Sequence, residues 1–278
     1  MNNLAMMMYT EIDIICVILL LYIAIKSFKN IERRQSWLYM QYSVCFVILF
    51  ACSDLLWNLI ENHVVFCTRP VAYLINSFYY MCAVGATATW FLYTESELDT
   101  GHINEKYFKA VSSIPALILF ILLIASYQNG ILFFIDDEMN FHRGPLNLLA
   151  FAIPCFYLIL SVVHSLSRAL IKENYVNKKQ YLNLAQFSLT PTVCCTLQIL
   201  LPGTPLPCIG IAAGMLLVYM NSQELLVSLD PLTKLNNRYN MVRYLSDKME
   251  HINEGHTLHL LIVTRRIIVP TYCSFTAD

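Results

Sequence analysis

Charge is what this chain lacks most. Lys, Arg, Asp and Glu together make up 13% of 278 residues, about half the roughly 25% of an ordinary soluble domain, while hydrophobic residues reach 57% against roughly 45–50%. A water-solvated surface cannot be assembled from so few charges, so a soluble globular fold is excluded. The 18 basic residues do not outnumber the 19 acidic ones, so the basic excess that a nucleic-acid partner requires is missing as well. The ten cysteines contain no C-x-x-C pair and no His-paired ligand spacing, which removes zinc-site and thiol-redox readings. Eight of them (Cys16, Cys45, Cys52, Cys82, Cys155, Cys194, Cys195 and Cys208) fall within apolar stretches or at their edges, where free cysteine packs as a small apolar residue. No small-residue cleavage site follows the first apolar stretch, so that stretch reads as a retained helix.

Long apolar runs take the place of charge. A membrane-spanning helix needs about 20 mostly apolar residues, because each adds about 1.5 Å against a hydrocarbon core of about 30 Å. That rule places spans near 11–28, 36–60, 70–94, 108–127, 146–168, 181–201 and 205–222. The expected fold class is therefore an all-α polytopic membrane protein with seven transmembrane helices in residues 1–222, a linker helix over 223–229, and a short cytoplasmic piece from 230 to 278.

Lys and Arg set the orientation. The first, third and fifth loops carry Lys26, Lys29, Arg33, Arg34, Lys106, Lys109, Arg168, Lys172, Lys178 and Lys179, whereas the opposite loops carry only Arg69 and Arg143. Basic loops stay in the cytoplasm. The amino terminus is then outside, the carboxyl terminus is cytoplasmic, and Asp136, Asp137 and Glu138 face outward.

Polar residues inside the spans gather at one depth. Asp54, Asn58 and Glu61 share a helix face, and Asp54 lies about 27 Å from the cytoplasmic start of its helix. Asn76 sits about 9 Å below the outer end of the third span, and Gln198 lies near the outer end of the sixth. Two readings stand side by side. In one, Asp54, Asn58 and Asn76 line an outward-opening pocket with Tyr79 or Tyr80 as an aromatic wall and His142 or Arg143 arriving from the outer loop, because an ionisable group at membrane depth faces protein or a watery cavity. In the other, Asp54 and Asn58 make interhelical hydrogen bonds or sit at the headgroups. His164 lies toward the cytoplasm, with Arg168 one turn later; it reads as an interface anchor, with proton sensing as the alternative. Pro191 interrupts the sixth span and predicts a kink near Thr190, either a pivot or a static bend.

After Tyr219 the pattern becomes soluble. Residues 221–229 form a short amphipathic continuation of the seventh helix, with room for one or two heptads at most. Asp230 and Pro231 suit a helix start. Met241, Val242, Leu245, Met249 and Ile252 recur at helical spacing, and Thr257 to Val263 reads as a strand.

Asp230-Pro231-Leu232-Thr233-Lys234-Leu235-Asn236-Asn237-Arg238 resembles the D-x-L-T-G-L-x-N-R opening of GGDEF domains, the catalytic domains of bacterial diguanylate cyclases. Asp230, Leu232, Thr233, Leu235, Asn237 and Arg238 carry the match, and Lys234 stands where glycine is usual. The spans resemble the seven-transmembrane input regions found before such cyclases and some histidine kinases, through Phe133 to Asp137, Phe141 to Leu146 and Leu200 to Pro205. The resemblance implies a bacterial inner-membrane signal sensor, with Mg²⁺ and GTP as cofactor and substrate of the intact family and an α/β cyclase domain beginning at 230. Its partners would be the lipid bilayer, an extracellular or membrane-borne small molecule and a second copy of the chain. The family's metal-holding acidic residue directly after the first strand is replaced here by Thr264-Arg265-Arg266-Ile267-Ile268-Val269-Pro270, and no GGDEF turn occurs. This chain is therefore expected to be catalytically inactive, with no cofactor of its own, as if the cyclase were truncated or frameshifted after Val263.

Competing classes lack their chemistry. Residues 204–222 hold no lysine for a retinal Schiff base, the third span does not end in Asp-Arg-Tyr, the seventh lacks Asn-Pro-x-x-Tyr, and no His-Glu-x-x-x-Pro phosphoacceptor appears. A non-enzymatic membrane sensor or interaction protein remains the alternative, with a small-solute transporter behind it, since the paired broken helices and repeats of transporters are not evident.

Overall fold

The structure, a computed structural model, describes residues 3–29, 35–98, 106–171, 178–200, 204–228, 241, 258–262 and 271–275. Among the described residues seven helices are formed, α1 (Asn3–Lys29), α2 (Gln35–Glu61), α3 (Arg69–Glu97), α4 (Lys106–Asn129), α5 (Asn147–Leu170), α6 (Lys178–Leu200) and α7 (Leu206–Ser228), with a hairpin of β1 (Phe133–Ile135) and β2 (Phe141–Arg143) between α4 and α5. Each occupies an apolar run because a chain in lipid must satisfy its backbone internally. Five of them, α1 to α5, are long and apolar enough to cross a membrane, and Leu206–Asn221 is a shorter apolar helix. α6 stands apart because Gln180, Asn183, Gln186, Ser188, Thr190, Thr192 and Thr196 dilute its apolar content. The chain is thus a mostly helical protein of membrane type.

The outside of the bundle is as apolar as its inside. On α1, Ile14, Ile15, Ile18, Leu21, Tyr22 and Ile25 are exposed, as are Leu117, Ile118, Ile121 and Ile124 on α4. Contiguous apolar surface on this scale is unstable in water and is what lipid tails solvate.

Two units divide at Tyr219/Met220. In the first, one apolar cluster joins α1, α2, α3, α6 and α7 through Leu20, Ile23, Val44, Val47, Trp90, Phe187, Ala212 and Val218. A second joins α3, α4, α5 and the hairpin through Tyr73, Tyr80, Phe91, Leu119, Leu123, Phe133 and Tyr157. Trp90 Nε1 donates to Ser188 Oγ at 2.8 Å, tying α3 to α6. Among the described residues of the second unit, α7 continues to Ser228 as its amphipathic pattern predicted, and β3 (Leu258–Ile262) pairs antiparallel with β4 (Thr271–Phe275). β3 coincides with the strand expected over 257–263; β4 was not expected. Apart from Met241, the helix expected over 241–252 lies outside the described residues.

The hairpin is bolted to the ends of α4 and α5. Gly130 closes α4 at φ +61°, with its N–H donating to the Ser126 carbonyl at 2.8 Å, the left-handed cap that glycine adopts without strain. Ser126 Oγ accepts from the Leu132 and Phe133 N–H groups at 2.9 and 3.2 Å, and Asn147 Nδ2 donates to the Leu132 carbonyl at 3.0 Å.

Pro191 lies inside α6 and cannot donate to the Phe187 carbonyl four residues back. That carbonyl oxygen lies 3.4 Å from where a Cβ on Gly214 of α7 would sit, while a Cβ on Gly210 would fall 2.4 Å from Cys194 Cβ. The G-x-x-x-G spacing of Gly210 and Gly214 therefore lets α7 approach α6 backbone to backbone. The two glycines should respond differently to alanine. Gly214→Ala meets ordinary contact distances and gains helix propensity, so it should be neutral or mildly stabilising. Gly210→Ala must push Cys194 aside and should cost about 1–3 kcal/mol in detergent unfolding; equal effects would contradict this packing.

Candidate functional site

The first half of α1 and the last turns of α2 supply the polar residues that meet inside the bundle. On α1, Tyr9 and Asp13 are one turn apart on one face with Thr10 beside them; on α2, Asp54 and Asn58 are likewise one turn apart. Tyr9 Oη donates to Asp54 Oδ2 at 3.1 Å, and Asn58 Nδ2 donates to Thr10 Oγ1 at 3.0 Å. Asn62 Nδ2 donates to Asn58 Oδ1 at 2.8 Å and to the Asn58 carbonyl at 2.7 Å, which also closes the end of α2. Asp54 and Asn58 are buried, and Asp13 has no exposed surface at all. Neither carboxylate oxygen of Asp13 has a hydrogen-bond partner. Asp54, Cys16 and Cys208 of α7 lie within its electrostatic reach.

α3 closes the cluster with aromatic rings. Tyr79 stacks on Phe50 with centroids 4.6 Å apart and stands 5.3 Å from Tyr80, and its hydroxyl is within electrostatic reach of Asp54 and Tyr9. Tyr80 turns the other way, against Phe133 and Phe151, with Asn147 beside its hydroxyl. Asn76 is buried and donates to the Ala72 carbonyl of its own helix at 3.3 Å.

The anticipated pocket residues are thus only partly united. Asp54 and Asn58 take part in interhelical hydrogen bonds, the second of the two readings offered by the sequence. Tyr79 joins them as a wall, whereas Asn76 satisfies itself on its own backbone. His142 is not turned toward them. Its Nε2 lies 2.8 Å from Asp136 Oδ2, and its ring stacks on Phe134 at 4.8 Å. Arg143 is an exposed side chain whose backbone pairs with Phe133 and whose charge reaches Tyr80. A cavity of about 1000 Å³ opens instead on the other faces of α2 and α3 toward α4, between Leu49, Cys52, Leu56, Leu74, Phe78 and Ile124, and none of the anticipated residues lines it. The side chain of Gln198 and the motif residues Asp230, Leu232, Thr233, Leu235, Asn237 and Arg238 lie outside the described residues.

Tyr9, Thr10 and Asp13 were missed. The signal was present: Asp13 lies six residues past Met7, about 9 Å down α1, the same depth at which Asp54 stands from the outer end of α2. His164 has a protein partner: its Nδ1 lies 2.5 Å from Oε1 of Glu95, a side chain of α3 that is only 3% exposed, while the His164 side chain itself is 43% exposed.

In the β1–β2 hairpin, Asp136 Oδ1 accepts from the Asn140 and Glu138 N–H groups at 2.8 and 3.0 Å while Oδ2 faces His142. The His142 ring, followed by those N–H groups, holds the Asp136 carboxyl down at about 2. A depressed carboxylate stabilises the folded hairpin fully above the ordinary range near 4 and loses that contribution as pH falls through about 2. His142→Ala should bring the Asp136 titration back toward that ordinary value in a carboxyl-labelled NMR titration; an unchanged midpoint would show that the ring is not its cause.

Among the described residues no group of three or more His, Cys, Asp or Glu is disposed to hold a metal ion. What these observations define is a helical membrane-type bundle with a polar cluster buried at one end. No known family model matches the chain, and no curated protein does.

Proposed function

We propose that the chain is a multi-pass receptor of the bacterial inner membrane, all seven helices crossing it with the amino terminus outside, and that it is the sensing part of a signalling protein of diguanylate cyclase type. The observation that carries the reading is the cluster of half-buried Tyr9 and Thr10 with buried Asp13, Asp54 and Asn58, which lies at the end of the bundle opposite the basic loops. Buried polar groups in a membrane are costly, and they are retained where they serve a function. α7, which contributes Cys208 beside Asp13 and runs on to Ser228, is the element that would carry a change at this cluster to the cytoplasmic side. The ligand would be a small solute reaching the cluster from outside or from the bilayer, and a second copy of the chain could pair along the α7 extension.

Residues 230–238 support the cyclase relationship by their likeness to a GGDEF opening. Thr264 to Pro270 offers no carboxylate for the Mg²⁺ that GTP condensation requires, so the purified chain with GTP and Mg²⁺ should form no cyclic di-GMP. That same absence favours, as a second reading, a sensor whose output is contact with a partner alone. The receptor reading is tested by joining residues 1–229 to an intact diguanylate cyclase domain and measuring cyclic di-GMP in cells. Asp54→Ala and Asn58→Ala should each move the level about fivefold or more from the parent chimaera, the scale of a 1 kcal/mol bias between two states; unchanged levels with normal membrane abundance would refute it.

A further inference from the structure

Asp13 is the one carboxylate among the described residues that is both wholly buried and without a hydrogen-bond partner on either oxygen. Asp54, opposite it, already accepts from Tyr9, and no basic side chain among the described residues makes an ion pair with either acid. Among the described residues, the titratable groups facing the pair are Tyr9 and Cys16 on α1, Glu61 on α2, Tyr79 and Tyr80 on α3 and Cys208 on α7, and none of these side chains carries positive charge. An ionised carboxylate in a membrane interior is strongly unfavourable unless a cation or donors neutralise it. Ionised, Asp13 would have no compensating cation; the carboxyl of Asp54 and the hydroxyl of Tyr9 lie within its electrostatic reach, and Thr10, whose hydroxyl accepts from Asn58, stands one turn before it on α1.

The geometry points to a sodium-binding site between α1 and α2, in which Asp13 supplies the charge and Asp54, Tyr9 and Thr10 supply further oxygens. Sodium fits better than a divalent ion, because calcium and magnesium demand six to eight oxygens or a retained water shell, and the surface around Asp13 is closed to water. The inference rests on the receptor reading in naming a ligand for the same cluster. Binding and signalling are read in separate experiments, so sodium binding with an unresponsive chimaera would defeat the receptor and leave the site standing.

The test uses the full chain in lipid nanodiscs, comparing 100 mM NaCl with 100 mM choline chloride at pH 8 and at pH 5.5. Sodium should raise the melting temperature by about 3 °C or more at pH 8 and by less at pH 5.5, where protons compete for the same oxygens. Radioactive ²²Na⁺ should bind at one ion per chain. Asp13→Asn should abolish the sodium response and should itself be at least as stable as the parent in choline, because it removes the unpaired charge. If that variant fails to fold, the parent's own sodium-against-choline comparison still decides. No sodium-dependent shift or binding at either pH would overturn the site in favour of a proton held by the pair; a response to Ca²⁺ or Mg²⁺ with none to Na⁺ would overturn it as well.

Discussion

Replacing His164 by leucine should destabilise the bundle by about 1–2 kcal/mol, the scale of one lost hydrogen bond to a buried carboxyl, because the His164 side chain is itself 43% exposed. The side chain left behind is Glu95, which is 3% exposed and faces Nδ1 of His164 across the α3–α5 boundary. Removing both groups should be far milder, because an apolar pair of similar volume leaves no charge to desolvate. Glu95→Leu with His164→Leu should therefore recover most of the loss. The cycle is measured by reversible unfolding in mixed detergent, where the helices survive in the denatured state and the signal reports interhelical contact. Strict additivity of the two single costs would show that the pair does not interact.

Tyr9→Phe is the second large effect expected. It removes only the hydroxyl that donates to Asp54 Oδ2 at 3.1 Å, so packing is preserved and the change isolates one interaction. Neutral interhelical hydrogen bonds in membranes contribute about 0.6 kcal/mol on average, while bonds to charged groups reach about 1.5–3 kcal/mol. The acceptor here is a buried carboxyl, so a cost of about 1.5–2 kcal/mol is expected. Asn58→Ala removes the Thr10 contact from the same helix pair and, sharing that boundary, should couple to Tyr9→Phe. A Tyr9→Phe cost below about 0.5 kcal/mol would mean that the hydroxyl is equally well satisfied elsewhere.

Helix number and position were legible because lipid imposes a single requirement, a long apolar run with its backbone closed on itself. The expected 70–94 and 108–127 became Arg69–Glu97 and Lys106–Asn129, with polar ends such as Glu95 and Glu97 included because they bond across to His164 and Gln180. The loop between α4 and α5 was legible as a connection between two apolar runs, but its folding into a hairpin was not. That depends on Ser126 and Asn147, which hold Leu132 and Phe133 from two different helices.

The site was half legible. Asp54 and Asn58 announce themselves by lying in an apolar run, yet their partners Tyr9 and Thr10 sit near the start of α1, where polar residues are unremarkable. Asn76 and His142 were placed by depth and loop position alone, and depth does not say which way a side chain turns. One satisfies a carbonyl of its own helix and the other an aspartate of its own hairpin. The cavity of about 1000 Å³ was invisible because its walls, such as Leu74, Phe78 and Ile124, are the residues any lipid-facing helix carries.

In the proposed receptor the Asp13–Asp54 end of a membrane-crossing bundle faces outward while Ser228 lies in the cytoplasm. Paired reporters in bacterial cells test it most directly. A fluorescent protein that matures only in the cytoplasm and a phosphatase active only outside are each placed after Ser228 and, separately, within the hairpin turn at Asp137. Fluorescence without phosphatase activity is expected after Ser228, and phosphatase activity without fluorescence at Asp137. The same reporter working at both positions, or recovery of the fusions in the aqueous fraction, would contradict it.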